Sequence, residues 1–233
     1  MEVISRLDNR IIVNGEFGIA HFHRFLATLY TAIEKLGYQD SIVDFSQCIA
    51  AFPGPMLAIC SQVVEARDRG ISVRLVLPTA SKLANLFQNA NWAYLIDPES
   101  YERSTFEGHT HVPATTFASP AEQAGAVSSI IDVILGSLSG VNRADFAAIE
   151  WSLNEITDNV LTHSRAKRGG IVQVATFQKS RRRVEFVVCD AGVGIPRTLR
   201  EARTDITSDT HALERAVREG VTRDKSIGQG NGL

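Results

Sequence analysis

At 233 residues, 44% of them apolar and 21% charged, the chain is long enough for one large or two small globular units. A formal net charge of −2, with acidic and basic residues interleaved, speaks against the basic footprint of a nucleic-acid binder. Cys48, Cys60 and Cys189 stand far apart in apolar surroundings without a CxxC pair, and read as reduced structural thiols with neither zinc nor a disulfide. No apolar run approaches the roughly twenty residues of a membrane span, and the N-terminus lacks the basic-then-apolar layout of a signal peptide. A soluble cytoplasmic protein is expected.

In chain order, the first pattern is a short β-branched run over residues 10–13. An amphipathic stretch over about 19–36 follows, with apolar positions three or four apart, which predicts a strand and then a helix. The cycle repeats with a strand over 41–45, a helix over 56–69 stopped at Gly70, a strand over 71–77 closed by Pro78, and a helix over 81–87. This alternation predicts an α/β unit with a mostly parallel sheet. The stretch GHTHVPATTFASP, residues 108–120, is rich in Thr, Pro, Ser and His without periodicity, so it is expected to link a first domain, 1–107, to a second, 121–233. Its His109 and His111 are two histidines alone, too few for a metal site. The second domain reads as α+β: helices over about 121–138 and 143–163 joined by SGVN, then strands over 170–177 and 183–189 around a solvated tip, QKSRRR.

Three stretches of the second domain can carry chemistry. Through WSLNEITDNVLTHS, residues 151–164, and the turn before it, Ile149, Leu153, Ile156 and Val160 are expected on a packed face. Glu155, Asn159 and Thr162 share another face, with Ser152 and His163 at its margin. Glu155 and Asn159 are i,i+4 neighbours, so a carboxylate able to orient or deprotonate a water sits beside an amide oxygen able to ligate a hard cation. An ordinary solvated face is the competing reading. In VEFVVCDAGVGIP, residues 184–196, a strand ends in Asp190, whose carboxylate can accept a hydrogen bond from an exocyclic amine such as that of adenine. Gly192 and Gly194 then let the backbone turn tightly beneath a flat ring, although a plain Asp-Ala-Gly turn has the same residues. In SIGQGNGL, residues 226–233, Gly228, Gly230 and Gly232 present backbone N–H groups suited to a triphosphate, or else form a flexible tail. GVTRDKS, residues 220–226, is no P-loop, because Asp224 stands where GxxxxGK[ST] needs glycine.

In this order the three stretches resemble the ATP-binding domain of the GHKL family, which includes gyrase, heat-shock chaperones, histidine kinases and mismatch-repair ATPases. The similarity covers residues 120–233 and is greatest to the histidine-kinase-like ATPases of bacterial anti-sigma-factor serine kinases. The resemblance implies ATP and Mg2+ as cofactors, Glu155 as the catalytic carboxylate that polarises the attacking water or hydroxyl, and Asn159 as the magnesium ligand, with Asp158 and His163 in support. It likewise implies Asp190 on the adenine amine, Gly192 and Gly194 around the base, and Gly228, Gly230 and Gly232 at the phosphates. The stretch between Gly194 and Gly228 would be an ATP lid with a helix over about 210–219. Its cations Arg223 and Lys225 either reach the terminal phosphate or stay solvated.

Residues of about 10–100 resemble a STAS domain, the fold of anti-sigma-factor antagonists, with DFSQC, residues 44–48, in the place of that family's strand and turn. In AAFPGPM, residues 50–56, Pro53 stands near the position of the serine those antagonists have phosphorylated. Proline has no hydroxyl, so the resemblance implies a docking or regulatory domain with partner contacts around Phe52 to Met56. His21 and His23 lack the acidic neighbour and helical-hairpin context of a phosphoacceptor and read as surface or packing residues.

The expected architecture is therefore α/β: an N-terminal STAS-like domain, then an α+β Bergerat-type ATP-binding sandwich. The GHKL family continues past the third glycine into a further helix and strands, so a C-terminally truncated form is expected, the alternative being a protein that ends here and binds nucleotide poorly. The expected function is that of a Mg-ATP-binding regulator, an anti-sigma-factor-type serine/threonine kinase or an ATPase acting on a protein partner. The alternatives are an ATP-driven switch without phosphotransfer and a non-catalytic STAS-like interaction module; a homodimer stays open.

Overall fold

Parallel strands need long crossovers, and the first third of the chain supplies them. In the computed structural model, which describes residues 2–104, 111–137, 146–177 and 183–217, the first sheet runs β1 (Ile4–Leu7), β2 (Arg10–Phe17), β3 (Asp40–Ala51) and β4 (Ser72–Val76), in that spatial order. The β1–β2 pair is an antiparallel hairpin, and the two following pairs are parallel. The crossovers are α1 (Ile19–Tyr30), prolonged by a π-helical turn over Thr31–Lys35, and α2 (Pro53–Asp68), which begins on a proline at its first turn. The expected strand–helix cycles are present, with β1 added in front and β3 running past residue 45 as far as Ala51. Two short helices, α3 (Ser81–Asn89) and α4 (Trp92–Ile96), close this unit. An aromatic chain runs through its core: Phe25, Phe17, Phe45, Phe87 and Trp92 meet edge-to-face in succession, with centroids 5.0–6.0 Å apart.

The second sheet has β5 (His111–Phe117), β6 (Gly170–Phe177) and β7 (Arg183–Asp190), all antiparallel, with β6 in the middle. β5 corrects the expected linker: residues 111–117 form an outer strand rather than part of a connection. Pro113 hides the strand in the sequence, but it sits where the pairing with β6 slips between Val112 and Thr115, a bulge that tolerates a residue with no N–H to donate. Helices α5 (Pro120–Ser137) and α6 (Ala147–Asn159), the latter extended by a π-helical turn over Val160–Ser164, pack on one face. After β7 come α7 (Ile195–Ala202) and α8 (Asp209–Ala216). Of these, α8 overlaps the helix expected over about 210–219, whereas α7 had no counterpart in the periodicity. The protein is thus mixed α/β with two sheets, and no helix among the described residues is long and apolar enough to cross a membrane.

The two-residue alternation of β6 and β7 explains how the units meet. Val172, Val174, Val184, Phe186 and Val188 point into the α5–α6 core, while Ile171, Val187 and Cys189 point the other way, into the core of the first unit. On that side lies α2, whose apolar residues ring its whole circumference, as expected for a helix covered on opposite sides. It is packed between the first sheet and strands β6 and β7. Direct hydrogen bonds cross the junction. Trp92 Nε1 donates to Gln173 Oε1 at 2.8 Å, both side chains being buried, and Asn91 Nδ2 donates to the Ala114 carbonyl at 3.1 Å. Ala114 N–H in turn donates to the Ala90 carbonyl at 3.0 Å. Burial pushes the Cys189 thiol up to about 11 and raises that of Cys60 further, so neither is a thiolate near neutral pH.

Candidate functional site

The helix carrying Glu155 and Asn159 is oriented by a buried line of Leu153, Thr157 and Val160, with Ile149 packed beside them. This amends the expected apolar face: Ile156 is only half-buried, and Thr157 takes the core position. Its hydroxyl is satisfied there, donating to the Leu153 carbonyl at 2.8 Å and accepting from Gln123 Nε2 at 2.8 Å. The same Gln123 amide donates to Asp158 Oδ1 at 2.7 Å, so Asp158 ties α6 to α5. Sequence reasoning missed Gln123, although a glutamine on the inward side of an otherwise apolar helix was a signal for a buried polar tie. Glu155 and Asn159 are both half-buried, and neither side chain hydrogen-bonds another described residue. His163 lies in the π-helical turn, also half-buried.

Asp190 ends β7 on the same face of the sheet as Val188 and Phe186, which is the α6 side. Its Oδ1 accepts the Gly192 N–H at 2.7 Å, closing the Asp-Ala-Gly turn, and Oδ2 has no hydrogen bond to a described residue. The turn is pressed onto the end of α6: Val193 N–H donates to the Ser164 carbonyl at 2.9 Å. A Cβ on residue 192 would come within 2.1 Å of that carbonyl oxygen and 2.7 Å of Asp190 Oδ1. Gly192 is therefore required for a close approach of two backbone segments within the protein. Gly194 is the N-cap of α7, with φ 78°.

The residues between Ser164 and β6 fix this arrangement from below. Arg165 adopts a left-handed backbone (φ 57°) at the end of the π-helical turn, and its guanidinium pairs with Glu201 of α7 at 2.6 Å. Ala166 N–H donates to Ser164 Oγ at 3.0 Å. At Gly169, φ is 66° and a Cβ would lie 2.0 Å from the Phe117 carbonyl oxygen, so the turn can pass β5 only with glycine there. Arg168 reaches across to Asp68 at the end of α2, making a bidentate pair with contacts of 2.6–3.0 Å.

The structure thus brings the acidic/Asn helix and the DxGxG turn into direct backbone contact. The third expected element lies outside the described residues, namely Gly228, Gly230 and Gly232 together with Arg223 and Lys225. A groove of about 340 Å³ opens elsewhere, between β5 and α5, lined by Arg103, Val112, Thr115, Gly125, Ala126 and Ser129 among others, and touches none of the expected site residues. Of the expected partner surface, Pro53, Pro55 and Met56 are buried and Gly54 is half-buried, which leaves Phe52 exposed. Comparison of the chain with protein-family models, curated proteins and solved structures finds no match.

Proposed function

We propose that the C-terminal unit binds Mg-ATP between α6 and the turn after β7, in the manner of the GHKL regulators it resembles. The nucleotide state would then be read by a protein partner through the N-terminal, STAS-like unit. The observation that carries this reading is the Ser164–Val193 hydrogen bond with the Gly192 contact beside it. It joins the end of the helix that carries Glu155 and Asn159 to the turn that follows Asp190, two motifs far apart in sequence and each commonplace alone. In this reading Asp190 Oδ2 accepts from the adenine amine, and Asn159 holds magnesium through its amide oxygen. Magnesium would neutralise phosphate charge, and Glu155 would orient the attacking water or partner hydroxyl.

Calorimetric titration with Mg-ATP tests the reading. The wild-type chain is expected to bind, and Asp190→Asn to lose at least about tenfold in affinity, since an amide keeps Oδ1 for Gly192 but turns the second position from acceptor to donor. Glu155→Gln is expected to keep binding and to lose phosphate release or transfer. Absence of binding by the wild-type protein, or equal binding by Asp190→Asn, sinks the proposal.

A further inference from the structure

Glu155, Asn159 and Asp190 all belong to the C-terminal unit, yet the segment that joins their supports is held from outside it. The relay runs through contacts already described. Asp68 on α2 accepts two hydrogen bonds from the Arg168 guanidinium. Arg168 sits in the turn whose other end is Ser164, and that turn is pinned to β5 at Gly169. Ser164 carries the Val193 N–H on its carbonyl, and Gly192 carries Asp190 Oδ1. The Asp68 side chain is only 9% exposed, and its carboxyl is held below the usual carboxylate range by the Arg168 hydrogen bonds, so the anchor end is covered while the arginine end is open. α2 itself has no fully exposed residue between Pro53 and Asp68.

We propose that Asp68 and Arg168 are a positioning pair through which the N-terminal unit sets the nucleotide affinity of the C-terminal one. The inference rests on the proposed nucleotide site. It assigns no chemistry to either side chain. Asp68 fixes Arg168, Arg168 fixes the turn, and the turn fixes the carbonyl against which the Asp190 loop rests. A partner that shifts α2 by docking on the N-terminal unit would change ATP affinity by this route, and by linkage ATP would change the affinity for that partner by the same factor.

The test is a double-mutant cycle on the full chain, read by Mg-ATP calorimetry and by amide exchange at Val193 without nucleotide. Asp68→Asn and Arg168→Gln are each expected to weaken ATP binding about two- to fivefold, the range open to a partly exposed ion pair. Both variants should also speed exchange at Val193. The double variant should match either single one, because the two residues act as one contact. Arg168→Lys, which keeps the charge and loses the bidentate fork, should fall between wild type and Arg168→Gln. Wild-type affinity and wild-type Val193 exchange in both single variants, with only a lowered melting temperature, would overturn the proposal and leave the nucleotide site standing. Failure of the wild-type chain to bind ATP would overturn the site reading and this inference with it.

Discussion

In the first sheet, Ile11, Val13 and Phe17 of β2 and Val43 and Phe45 of β3 are wholly buried, and four phenylalanines and Trp92 lock over them. In the second, every residue of β7 from Val184 to Asp190 is only half-buried, and its core is aliphatic apart from Phe117, Phe146 and Phe186. The strand that carries Asp190 is an outer strand of the described sheet and leans on the N-terminal unit through Val187, Cys189 and α2. An edge that borrows its support from a neighbouring core can shift when that core shifts, which a self-sufficient sheet cannot do.

The largest expected effect breaks the comparison at the shared pillar. Trp92→Ala removes the last ring of the aromatic chain and leaves Gln173 without its buried donor, which should cost about 3–5 kcal/mol in urea unfolding. Strands of both sheets should lose protection in one transition. A first sheet that melts while β6 and β7 stay protected would show that the second sheet does not lean on it. Next in size is Gly192→Ala. Its methyl would meet a backbone carbonyl that cannot move away alone, so a loss of about 1–3 kcal/mol is expected together with weaker ATP binding. An unchanged melting temperature would mean that the turn is not pressed on α6 as described.

The smallest effect sharpens the comparison through pH. Arg168 hydrogen bonds lower the Asp68 pKa in the folded state, so its contribution is present above the unfolded carboxyl value of about 3.9 and is lost as pH falls through the depressed folded value. Between about pH 4 and pH 2 the melting temperature of Asp68→Asn should therefore fall less steeply than that of wild type. Parallel curves would show that the junction is held without this pair.

Much of this fold was legible because periodicity reports single faces. The β2–α1–β3–α2–β4 run and the β6–β7 hairpin follow from alternation and from helical spacing. What escaped was whatever a second neighbour decides. Residues 111–117 read as a linker because Thr and Pro dilute the pattern, and the bulge at Pro113 then sends both Val112 and Ala114 into cores on opposite faces. Ile156 was expected on the packed face, where Thr157 was not. In α6 Thr157 is buried and Ile156 only half-buried, and Gln123 offers the Thr157 hydroxyl a partner that only tertiary structure could reveal. In the candidate site, Asp190, Asn159 and Glu155 were visible as residue types in a spacing. Ser164 and Arg168 act through a backbone carbonyl and a contact one hundred positions distant, for which the chain carries no local signal. One clue was available: α2 is apolar around its whole girth, and a helix of that kind announces covers on two sides.

That helix also governs how the chain can be divided. A fragment starting after residue 104 would keep β5, β6 and β7 but expose Ile171, Val187 and Cys189, with Gln173 stripped of its indole, to water. A fragment ending at 104 would expose the opposite flank of α2. Neither half carries a finished surface, so either one expressed alone is expected to be less stable than the joined chain, however modular the two sequences look.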